Sequence, residues 1–161
     1  MKPVKQTNIS IPGGNCFQAC VASILELPLE SVLDFVNQGP QEKWFYRLAD
    51  WLVKRDYGVV YSPFEPICAT IQGFCILGIQ TERHVKEQQD ENWVHAVVGR
   101  ANWTLQENNE KWIGFEVVHD PHPNPSPMVQ IRDVTWIVSQ NLTKELKHKE
   151  FMNEFRNKHD E

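Results

Sequence analysis

At 161 residues and 41% hydrophobic, the chain is sized for one packed domain, which excludes wholesale disorder. Sixteen Lys and Arg against twenty-one Asp and Glu leave a formal charge of −5, which disfavours a general nucleic-acid or anionic-membrane surface. The longest apolar runs, ICATI and GFCILGI, fall well short of the roughly 20 residues that a membrane span needs.

Taken in order, the opening MKPVKQTNISIPGG carries lysines without the apolar run of a secretory signal. Residues 8–15, NISIPGGN, are rich in turn formers and predict a loop. From Cys16 to Leu27 the pattern is helical, with Cys16, Cys20, Ile24 and Leu27 on one stripe, Asn15 as N-cap and Pro28 as terminator. A short helix over Leu29 to Val36 is expected next, then a QGPQ turn. A third helix is expected over residues 41–55, with Trp44, Leu48, Trp51 and Leu52 on one face. After Tyr57-Gly58 the period changes. GVVYS, GFCILGIQ, NWVHAVVGR, KWIGFEVVHD and TWIVS are short β-branched and aromatic runs, separated by polar or proline-rich stretches. Helices followed by strands predict an α+β fold with an antiparallel sheet. Residues 1–141 form the domain. Residues 142–161 read as an exposed, partly helical tail, whose five basic and five acidic side chains from Thr143 onward cancel.

Four thiols, Cys16, Cys20, Cys68 and Cys75, form no CxxC pair and follow no signal segment. They read as reduced, cytoplasmic thiols. Cys20, Cys68 and Cys75 lie in apolar patterns and read as core. Cys16 differs, because it follows Gly13-Gly14-Asn15 and opens a helix. Unpaired N–H groups and the macrodipole at a helix start stabilise a thiolate, and the same N–H groups can hold an oxyanion. His95 sits in the otherwise apolar WVHAVVG, where an imidazole is costly unless its nitrogens find partners. It is either a satisfied core histidine or a base held by a strand. Asp120 stands where VVHD meets a proline, at a strand exit from which a carboxylate can orient an imidazole; the plain alternative is a turn residue.

In this order, the segment GNCFQACVASIL (residues 14–25) with VHAVVG and VVHDPHP resembles papain-like cysteine peptidases. The likeness is to the branch of bacteriocin-leader peptidases and their bacterial and phage relatives, and it runs from residue 6 to about residue 138. It implies a papain-like fold, Cys16 as nucleophile, His95 as general base and acid, and Asp120 as orienter. It further implies an amide-donating oxyanion residue before the cysteine. Gln6, ten residues upstream, is the candidate, with Asn15 as a substitute that also serves as helix cap. Gln18 lies just after the nucleophile. The expected chemistry is hydrolysis or transfer of a peptide, isopeptide or small amide acyl group, without cofactor, metal, nucleic acid or membrane.

Two other readings compete. A binding or regulatory protein on the same fold needs no turnover. A metal-dependent hydrolase would use the cluster His119, Asp120 and His122, although strand alternation puts the first two on opposite faces. His84, His148 and His159 lie in charged stretches without a motif. Trp93, Trp103 and Trp112 flank the strands of His95 and Asp120, as core or as cleft walls.

Overall fold

The computed structural model describes residues 1–11, 13–64, 71, 73–86, 94–105 and 111–139. Cys68, Trp93, Asn141 and the 142–161 segment with His148 and His159 lie outside the described residues, as do the side chains of His84, Trp103 and Trp112.

Helix α1 spans Cys16–Leu25 and buries Ala19, Cys20, Val21, Ala22 and Ser23. It stops short of Leu27 because Glu26 takes a left-handed conformation (φ 57°) and caps the helix through its N–H to Ala22 O. Asn15 does not cap through its side chain. The expected helix over 29–36 shrinks to a single turn at Leu29–Ser31. Beyond it, Asp34 accepts from the Asn37 N–H (3.3 Å) and Nδ2 (2.7 Å), side-chain bonds that compete with continued helix. Another single turn, Gln41–Lys43, leads directly into α2, Trp44–Val53. Leu48, Trp51 and Leu52 are its buried face, and Trp44 packs partly buried beside them. Arg47 ties the preceding loop to this helix, donating to Phe35 O and Pro40 O.

Five strands follow: β1 Tyr57–Pro63, β2 Gly73–Thr81, β3 His95–Leu105, β4 Lys111–His119 and β5 Met128–Ser139. A short helix α3, Glu82–Lys86, follows β2. Every pairing is antiparallel and the sheet order is β1-β5-β2-β3-β4. The last strand therefore returns between β1 and β2. It begins seven residues before the TWIVS run, because the polar MVQIRDV also pairs with β2.

Alternation divides the sheet into two apolar faces. Ile76, Ala96 and Val98 join α1, Val32, Phe35 and α2 in one core cluster. Cys75, Leu77, Ile79, Val97, Val134 and Trp136 form the other. The chain is thus α+β, with two helices packed on a five-stranded antiparallel sheet. No helix among the described residues is long and apolar enough to cross a membrane.

The N-terminal segment crosses this framework as a strap. Val4 N–H donates to Ser23 Oγ (2.9 Å), His119 Nε2 lies 2.9 Å from Val4 O, and Gln6 N–H donates to Pro121 O (3.1 Å). Lys5 Nζ adds bonds to Asp120 O and His122 O. The strap thus joins α1 to the loop that leaves β4.

Candidate active site

Three elements converge where α1 begins. Cys16 is the first residue of α1, His95 the first of β3, and Asp120 the first residue beyond β4. Each side chain sits at an element's end, where the adjoining helix or strand fixes its backbone. His95 Nε2 lies 2.7 Å from Asp120 Oδ1, and both side chains are 12% exposed. That contact leaves the other ring nitrogen free of Asp120, and Cys16 is near enough for its interaction with the imidazole to raise the His95 ionisation. The Cys16 sulfur, partly exposed, also accepts the Ala96 N–H at 3.5 Å.

Electrostatics follow from this contact set. Burial pushes the His95 imidazole down, but the hydrogen bonds and charges of Asp120 and Cys16 reverse that and raise it to about 9. Burial likewise pushes the Asp120 carboxyl up. The imidazole and the His122 N–H, which donates to Oδ1 at 2.8 Å, overcome this and hold it below its usual range. One turn along α1, Cys20 is fully buried, and desolvation raises its thiol far above the ordinary value. It is packing material.

These residues open onto a cleft of about 800 Å³ on the helical side of the sheet. Gln6 lines it, buried, with Nε2 donating to Asn8 O (2.9 Å); among the described residues its second amide proton has no acceptor and its buried Oε1 no donor. Asn15 is differently placed. Its Oδ1 accepts the Thr7 and Asn8 N–H groups, and its Nδ2 donates to Thr7 Oγ1 and Gln18 Oε1. Both amide protons are committed, so Asn15 shapes the loop and has none left for an oxyanion. The Gln18 amide in turn donates to Leu29 O and Val32 O, which removes it from the site.

The members of the metal-ligand cluster point apart. His119 faces Val4 O, Asp120 faces His95, and His122 Nε2 lies 2.9 Å from Arg83 Nη1. Among the described residues no three His, Cys, Asp or Glu side chains gather as a metal would require.

Sequence reasoning missed Asp133. It lies on β5 opposite Gly78 of β2 and lines the same cleft. Its carboxyl is pushed up to about 6 by burial, against a hydrogen bond from the Gly78 backbone and the charge of Arg132. No sequence signal marks it, since Arg132-Asp133 reads as a solvated pair until the ladder partner is known. No family model matches the chain, and no curated protein or solved structure matches it either.

Proposed function

We propose that the chain is a papain-like thiol hydrolase that cleaves or transfers an amide acyl group through Cys16, His95 and Asp120. The observation that carries this reading is the imidazole held at 2.7 Å by Asp120 beside Ala96, whose N–H reaches the sulfur of a partly exposed cysteine that opens a helix. An imidazole raised to about 9 stays protonated at neutral pH and can give up that proton to a leaving nitrogen.

In the proposed reaction the Cys16 sulfur bonds to the carbonyl carbon and the carbonyl π electrons move onto oxygen. The N–H groups of the first turn of α1 have no intrahelical partner and would receive that oxyanion, with Gln6 Nε2 at the cleft wall as a further donor. As the C–N bond breaks, His95 gives its proton to the leaving nitrogen, and an acyl-thioenzyme remains. Neutral His95 then takes a proton from water, or from an acceptor amine, as that nucleophile adds to the thioester. Collapse returns the sulfur to its starting state. Asp120 keeps the ring oriented through both steps.

The test is peptide-resolved iodoacetamide labelling of the full chain between pH 5 and 9. Cys16 is expected to alkylate at least tenfold faster at pH 6 than a free thiol, and His95→Ala to remove that advantage. Labelling of wild-type Cys16 no faster than a free thiol, or its inaccessibility in the folded protein, overturns the proposal.

A further inference from the structure

The cleft extends beyond the three residues above, and its far end has a chemistry of its own. A cross-strand row runs along its floor. Asp133 pairs with Gly78, Gly78 pairs with Ala96, and Ala96 holds the Cys16 sulfur through its N–H. Two inter-strand steps of about 4.8 Å therefore separate Asp133 from the strand position beside the sulfur. The middle residue of the row has no side chain. A Cβ on Gly78 would run into the Asp133 carboxylate, so the glycine both makes room for that group and keeps the floor open.

One wall beside Asp133 is aromatic. Tyr61 pairs with Thr135 and so lies diagonal to Asp133 on the same face of the sheet. Trp44 meets Tyr61 edge-on at 5.9 Å and Phe17 at 5.1 Å. Burial and the Asp133 charge together raise the Tyr61 hydroxyl above its usual value, an independent sign of their proximity. Among the described residues no ion pair reaches Asp133. Arg83, which also lines the cleft, is turned to His122 and Asn124 O. Arg132, beside Asp133 on β5, lines the cleft and its charge acts on the carboxyl, but among the described residues it makes no ion pair with it; a carboxylate in no ion pair, beside aromatic rings and open to the cleft, is a receptor for a further cation.

We propose that Asp133, with Tyr61 and Trp44, forms a subsite for an ammonium or guanidinium group, so that the acyl substrate carries a cationic side chain next to its scissile carbonyl. As a substrate assignment this rests on the thiol-hydrolase reading. The cation site itself stands on Asp133 and its surroundings.

The test uses full-length Cys16→Ala protein, in which no turnover intervenes. Acetyl-arginine amide, acetyl-lysine amide and the neutral acetyl-norleucine amide are titrated at pH 7.5 and followed by NMR at the Gly78 amide and Trp44 indole signals. The cationic probes are expected to bind at least tenfold tighter than the neutral one. Asp133→Asn, which retains the volume and an acceptor for the Gly78 N–H, should bring the three within about twofold. Equal affinities in the parent protein, or a preference that survives Asp133→Asn, overturns the subsite. If Asp133→Asn does not fold, the parent alone decides, because its preference must weaken severalfold at pH 5, where Asp133 is protonated. The outcome is independent of the iodoacetamide result, so failure of the subsite and failure of the thiol chemistry are distinguishable.

Discussion

Asp120 and Asp133 line one cleft, are both partly buried, and each accepts a backbone N–H, yet their ionisations move in opposite directions. Burial disfavours charge at both. At Asp120 the imidazole of His95, 2.7 Å away, more than offsets it. At Asp133 only the Gly78 backbone and the nearby Arg132 oppose it, and burial wins. One end of the cleft has its counter-charge in direct contact, whereas the other has only a neighbouring arginine that forms no ion pair with it among the described residues.

The largest effect is expected at the paired end. Asp120→Ala should lower Cys16 alkylation at pH 6.5 by tenfold or more and return His95 titration, followed by imidazole NMR, from about 9 toward 6.5. It should also cost about 3 kcal/mol in urea unfolding at pH 7, because a largely buried imidazolium loses its partner. The pH window follows from the signs. His95 is raised, so its contribution is whole below about 6.5 and is lost as pH climbs through about 9. Asp120 is lowered, so its contribution is present above 3.8 and is lost on acidification. The stability gap between parent and variant should therefore be widest around pH 4–7 and narrow on both sides. A variant with unchanged alkylation and unchanged His95 titration would remove the basis for distinguishing the two ends.

Gly78→Ala perturbs the unpaired end and should come next in size. The new methyl meets the Asp133 carboxylate, so about 1–3 kcal/mol of stability should be lost. Combining it with Asp133→Ala should recover much of that loss, a coupling readable in a double-mutant cycle by denaturant titration. Additive losses would mean that the clash lies elsewhere.

How much of this was legible in the sequence depends on whether the signal is local. The change from helical to strand period, the turn before Cys16 and the polar interruption at His95 are properties of short windows, and all five apolar runs lie within or overlap strands. The single turn at Leu29–Ser31 was not legible, because Asp34 bonding to Asn37 competes locally with the helix that the apolar spacing suggests. Asn15 looks like a cap by type, but its amide is drawn away by the strap residues Thr7 and Asn8. Asp133 could not be found at all. Its meaning lies in facing Gly78, and the β2–β5 register is a long-range fact that no window contains.

The smallest effect is also the one of opposite sign. A carboxyl raised to about 6 contributes stability that is whole below 3.8 and is lost as pH rises through 6. At neutral pH, charged Asp133 is thus a net cost to the fold. Asp133→Asn should stabilise the protein at pH 7.5 by roughly 1–2 kcal/mol, a modest gain because the group is partly solvated. At pH 3 the gain should vanish, since Asp133 is then mostly protonated in both states. Thermal unfolding at the two pH values reads this directly, against Asp120→Asn, which should destabilise at pH 7.5. A gain in Asp133→Asn at pH 7.5 would fit a carboxylate kept for the proposed cation subsite rather than for the fold. Loss of stability in Asp133→Asn at pH 7.5 would reverse this argument and make Asp133 a structural residue like its neighbours on β5.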